Sequence, residues 1–275
     1  MKFAARFRIV LVPCLLIPAL RAQQLKPETQ RDFDCYVQSA EARIDAQKAF
    51  VAADSDSVLN EQLVRGRQVR TLPANGANPH QLSGGQLYDW IGLVFIPEGS
   101  LDRTIRMLQD YDHRVLYFPE IISASKLLCH TGENQFRFTM RLKEPAILDV
   151  ESDVVWERVG PERWRCRSYS TNIHEAGKEH GYAQRLYSYW RFAETPKGVY
   201  VQAETITLSR EFSGFTRALG SMVGINPEKT LKRTLAEMRE SALKTGMQIA
   251  GPPAGLAGCG DSFHPGGCAA PFKTE

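Results

Sequence analysis

Residues Asn226–Gly246 read NPEKTLKRTLAEMRESALKTG, and this stretch decides how the rest of the chain folds. Asn226 is an N-cap type, its side-chain oxygen suited to accept from an amide of the first turn. Pro227 follows at the first helical position, where its missing N–H costs nothing. Leu231, Leu235, Met238 and Ala242 recur at steps of four, three and four, a narrow apolar stripe on a helix that Lys244 and Gly246 bring to its end. Such a stripe alone belongs to any amphipathic surface helix. Position gives it weight: several strand-like segments precede it and only a Gly/Pro-rich tail follows, so the strands must find their cover on this helix.

Upstream, Val199–Arg210 and Arg185–Phe192 are joined through Glu194-Thr195-Pro196-Lys197-Gly198, a hairpin loop. In Arg163–Ile173, three arginines alternate with Trp164, Cys166 and Ser168. Leu148, Val150, Val154 and Trp156 alternate with acidic residues, and Phe136, Phe138, Met140 and Leu142 with Arg137, Thr139 and Arg141. Period two marks half-buried strands, and short links favour antiparallel neighbours. Leu87–Ile96 is apolar on both parities, as in a strand covered on both faces. Ser100 is placed to cap a helix over Leu101–Arg114. Thr29–Phe50 carries Phe33, Val37, Ala40, Ile44 and Ala49 among charges, a second helix within residues 23–56. Val58–Val69 is mixed in character, Leu72–Gly85 is rich in turn formers, and residues 249–275 are expected to lack fixed structure. The class expected is α+β: a curved antiparallel sheet gripping a long C-terminal helix within residues 57–248, with an extra N-terminal helix.

Residues 1–22 have the form of a secretory signal peptide. Lys2, Arg6 and Arg8 precede the apolar run Ile9–Leu20, and Ala22 is a tolerable cleavage site, so export to the periplasm or beyond is expected. The apolar run is too short to span a bilayer, and no other stretch is apolar enough. Four of the 34 basic residues and none of the 31 acidic ones lie in this leader, which leaves the remainder close to neutral. That balance offers no patch for nucleic acid. Cys35, Cys129, Cys166, Cys259 and Cys268 remain beyond the leader. The near pair Cys259/Cys268 has the spacing to close a small loop in an oxidising compartment, or else both are tail thiols.

The order of elements, and the phrases Trp90-Ile91-Gly92, Phe95-Ile96-Pro97, Tyr111-Asp112-His113-Arg114-Val115-Leu116-Tyr117-Phe118-Pro119-Glu120-Ile121 and Tyr189-Trp190-Arg191-Phe192, resemble the START/Bet v 1-like helix-grip superfamily (SRPBCC), polyketide-cyclase-like members included. The likeness covers about residues 80–246. It implies a hydrophobic cavity between sheet and C-terminal helix that takes a lipid-like small molecule, with no cofactor. In such a cavity the aromatic residues of the strands become walls. Trp90, Phe138, Met140, Trp156, Ser170, Tyr189, Trp190 and Glu204 are the expected ligand-binding residues, with Glu204 facing either solvent or an inward arginine.

No catalytic constellation stands out. His174-Glu175 and Glu179-His180 miss the His-Glu-x-x-His spacing, and Gly177 and Gly181 break any helix between them, so no metal site is expected. The nucleophile elbow, the P-loop and the dinucleotide fingerprint are all missing from the sequence. Two alternatives stay open beside a carrier. One is a cyclase or aromatase with His113 and Glu204 as acid–base candidates. The other is an interaction module whose first helix packs on a partner and whose core is filled.

Overall fold

In the computed structural model of the chain, the residues described are 25–66, 68–76, 78–144, 146–177, 182–210, 226–244, 248–251, 258–259 and 265. The expected leader, Gly246, Glu179-His180 and most of the tail lie outside them. Two helices come first, α1 (Pro27–Ala46) and α2 (Ser57–Gly66). Strands β1 (Arg70–Pro73), β2 (His80–Leu82) and β3 (Gly85–Pro97) follow, then helices α3 (Leu101–Gln109) and α4 (Arg114–Tyr117). A meander of six strands comes next: β4 (Ile122–Gly132), β5 (Gln135–Leu142), β6 (Leu148–Gly160), β7 (Arg163–Glu175), β8 (Arg185–Thr195) and β9 (Gly198–Arg210). The last helix is α5 (Pro227–Leu243).

All nine strands among the described residues form one antiparallel sheet in the order β1-β3-β9-β8-β7-β6-β5-β4, with β2 also on β3. Register shifts between β4 and β5 and between β6 and β7 mark irregularities that bend strands. On α5, the Asn226 side chain accepts from the Lys229 amide at 2.9 Å, and Leu231, Leu235, Met238 and Ala242 are buried as the stripe requires. The helix lies on β3, where Gly92 makes the close approach possible. A Cβ there would stand 2.5 Å from Leu235 Cδ1 and 3.0 Å from Leu231 Cγ.

The opposite, outer face of the sheet is covered as well. Phe33, Tyr36, Val37, Ala40 and Ile44 of α1 pack on Leu87, Tyr187, Ile206 and Leu208. Leu63 of α2 and Val51 pack on Ile91, Leu93 and Phe95. β3 is therefore buried on both sides, as its two-parity apolar run predicts. The apolar stripe of α1 is spent on this chain's own sheet, so it is not the exposed stripe the interaction module needs.

Four expectations need correcting. The helix starting at Leu101 stops at Gln109, because Asp110 takes a non-helical ψ of 70°. A 3-10 turn, Tyr111–His113, and the short α4 follow it. Two short strands interrupt the supposed loop 72–85. Cys259 is bonded to Cys129 rather than to Cys268, and its amide donates to the His130 carbonyl at 3.0 Å. The tail is thus fastened at residues 258–259, because β4 is an edge strand with backbone groups free to take a partner.

The close contact of strand and helix is testable. Leu235→Ala is expected to cost about 2–5 kcal/mol, and Gly92→Ala to destabilise as well. The double variant should lose less than the sum, since truncating Leu235 makes room for the new methyl. Urea denaturation of the four proteins reads the coupling; strict additivity would mean that the two residues do not touch.

Candidate functional site: a cavity between the sheet and the last helix

Side chains from α3 to α5 line a partly open cavity of about 200 Å³ on the inner sheet face. Phe138, Met140 and Leu142 of β5 form one wall and Trp156, Cys166, Leu186 and Trp190 of β6–β8 another. Leu231 and Thr234 of α5 face them, with Leu108, Phe118 and Ile121 at one end. The lining is mostly apolar, and Trp190 stacks on Phe192 behind it with ring centres 6.2 Å apart.

Hydroxyl groups cross the floor. Ser168 pairs with Ser188 across β7 and β8, and Ser188 with Thr205 across β8 and β9, so three adjacent strands present one row into the cavity. The Ser188 oxygen accepts from Trp190 Nε1 at 2.9 Å. Burial pushes the Cys166 thiol pKa well above its ordinary value, which leaves it neutral and unreactive.

Arg114 brings the one positive charge among the described lining residues. Its Nη2 donates to the Leu108 carbonyl at 2.8 Å, and its Nε is buried with no partner. The guanidinium carbon lies 4.7 Å from the Tyr111 ring centre and 4.6 Å from that of Phe138. Tyr111 is held in turn, its hydroxyl accepting from Trp156 Nε1 at 2.8 Å. Arg114 is only half-buried by area, since part of it opens on the cavity. Desolvation is nevertheless the leading influence on its pKa and pushes it down.

Of the residues expected from sequence, Phe138, Met140, Trp156 and Trp190 come together in the lining. The other four do not. Trp90 shares the inner face but packs against the core beyond the cavity wall. The Ser170 hydroxyl is buried and accepts from the Leu186 amide at 2.9 Å. Tyr189 lies on the outer face and donates to Glu41 Oε1 at 3.1 Å. Glu204 lies on the outer face too, neither in solvent nor toward the cavity. His113 is half exposed and bonded through Nδ1 to Asp110 Oδ1 at 2.7 Å, outside the lining.

Sequence reading missed Arg114 by taking it as the last residue of one long helix. Its signal was present: it stands three residues after Tyr111 and three before Tyr117, both fully buried, and that spacing shares one face of a helical turn.

An antiparallel sheet closed on a C-terminal helix, with a cavity between them, is the START/Bet v 1-like helix-grip fold. Among solved structures the chain is similar to a STAR-related lipid transfer protein fragment from Xanthomonas axonopodis, at 17% identity over 63% of this chain and 99% of that one, TM-score 0.45. It is also similar to human STARD10, at 10% identity over 69% and 78%, TM-score 0.41. A third is the di-domain ARO/CYC StfQ from the steffimycin biosynthetic pathway, at 17% identity over 57% and 48%, TM-score 0.38. At these identities the likeness is one of fold. No family model and no curated protein matches the chain.

On the outer face, Glu204 Oε1 accepts from Arg43 Nη2 at 2.6 Å, and Asp89 Oδ2 lies 3.4 Å from the same nitrogen. The Tyr36 hydroxyl donates to Asp89 Oδ2 at 2.9 Å and lies 3.3 Å from His80 Nε2. Two buried carboxyl groups share one guanidinium, and Asp89 Oδ1 has no partner. Burial, then the Glu204 charge, raise the Asp89 pKa to about 8. The folded chain therefore keeps a proton that the unfolded chain loses above about pH 4, and this contribution to stability falls as pH rises from about 4 to 8. Asp89→Asn removes the dependence. The stability of wild type relative to Asp89→Asn, measured by urea denaturation, should drop by on the order of a few kcal/mol between pH 5 and 8; a constant difference would refute the raised pKa of Asp89.

Proposed function

We propose that this protein is an exported carrier that holds an apolar or amphiphilic small molecule in the cavity, without transforming it. The cavity itself carries the reading. Protein interiors are packed to the density of organic crystals, and an apolar space of about 200 Å³ is room that side chains would otherwise fill. Its hydroxyl row suits a ligand with polar groups along an apolar body. A cyclase reading loses support, because neither of its candidates, His113 and Glu204, is among the described lining residues, and Glu204 is paired with Arg43 on the outer face.

Export is supported by the leader-like residues 1–22 and by the Cys129–Cys259 cross-link, since disulfides persist in oxidising compartments. Protein recovered from the native envelope is expected to begin near Gln23. An intact Met1 on cytoplasmic protein would sink export and leave the carrier reading standing.

Binding is tested with the apolar fluorophore N-phenyl-1-naphthylamine. It should quench Trp156 and Trp190 and raise the melting temperature, because a ligand of the folded state stabilises it by mass action. Trp190→Leu should weaken this binding severalfold with a smaller effect on the fold, since leucine keeps part of the apolar area. No change in either signal, for this probe or for fatty acids and sterols, would refute the carrier.

A further inference from the structure

The cavity wall contains a cation that no described carboxylate pairs with. Among the described residues, no carboxylate lies within ion-pair distance of Arg114. The nearest candidate, Asp110, is fully engaged: Oδ1 with His113, Oδ2 accepting from the Tyr117 hydroxyl at 2.6 Å and from the Ala250 amide at 3.4 Å. Glu144, the one acidic residue among the described lining residues, is paired with Arg233 at 2.8 Å. Arg114 instead has ring faces and one backbone carbonyl. Those contacts fix the guanidinium in place, but they leave N–H groups unmatched, Nε among them.

The Asp110 charge acts on Arg114 from outside ion-pair distance and only partly offsets its desolvation; a desolvated charge without a paired counter-charge is costly, and a protein built only to close this gap would carry an apolar residue there. The remaining lining offers hydroxyl groups and hydrocarbon, none of them anionic. Among the described residues no carboxylate pairs with this cation, which leaves it available to an anionic occupant. We propose that the ligand is an amphiphile with an anionic oxyacid head, carboxylate or phosphate, which docks on Arg114 while its apolar body lies along Phe138, Met140, Leu186 and Trp190. The inference rests on the carrier reading and narrows it to a ligand class. Arginine suits the task, since its planar fork stays charged and can engage two oxygens at once.

The test compares decanoate, decyl phosphate and 1-decanol, which share one chain and differ in the head. Titration calorimetry, with Trp156 and Trp190 fluorescence as a second readout, gives the affinities at neutral pH. Wild type should bind at least one of the two anions tenfold or more tighter than decanol, and whichever anion binds tighter identifies the head. Arg114→Gln should bring that anion to within about threefold of decanol, and Arg114→Lys should keep part of the advantage. Equal binding of all three by wild type overturns the anionic head and leaves the carrier standing. This comparison decides the matter even if Arg114→Gln does not fold. An anion advantage that survives in folded Arg114→Gln overturns the role of Arg114. Binding of none of the three, together with no response to N-phenyl-1-naphthylamine, overturns the carrier reading itself.

Discussion

One helix is too narrow to cover this sheet. A helix with its side chains is about 10 Å across, little more than two strand spacings of about 4.8 Å, and the sheet has nine strands. α5 takes its place over β3, where the bare backbone of Gly92 admits Leu231 and Leu235. The strands further round, β5 to β8, then have no long helix above them. Curvature and the turns after α3 bring Arg114, Phe118 and Ile121 over the gap, and they close it incompletely. The cavity is what remains.

The two faces of the sheet meet opposite demands. On the outer face, α1 lies flat and its polar residues find partners. Glu41 accepts from Tyr169 at 2.7 Å, and Arg191 donates to the Ile44 carbonyl at the helix C-terminus, where a cation is favoured. Even Asp89 and Glu204, two acids beside one arginine, reach an arrangement in which Asp89 keeps its proton to about pH 8. The inner face keeps open space and, in Arg114, a cation whose cost is only partly offset by two aromatic rings. The outer face thus pairs its polar groups, while on the inner face the described residues leave Arg114 Nε without a partner.

Local pattern made much of this legible. The stripe Leu231–Ala242, the cap at Asn226, the alternation in β5–β7 and the two-parity run of β3 all appear in the structure as their periods require. So does the buried set Phe33, Val37, Ala40 and Ile44 of α1. Half of the expected lining was legible for the same reason: Phe138, Met140, Trp156 and Trp190 belong to the apolar parity of their strands, and that parity faces inward.

β9 shows where such reading stops. Its alternation separates Tyr200, Gln202, Glu204, Ile206 and Leu208 from Val199, Val201, Ala203, Thr205 and Thr207, but period two does not say which set faces α5. The answer depends on α1, which lies about 160 residues away in sequence and covers the larger set, so that Glu204 meets Arg43 and Tyr189 meets Glu41. Arg114 depends on the break at Asp110, fixed by contacts with Tyr117 and His113 that no helical period encodes. Sequence by itself determined which residues share a face, because side-chain periodicity is a property of the local backbone. Only the tertiary structure decided what each face meets, because burial on both sides of a sheet is settled by elements distant in the chain.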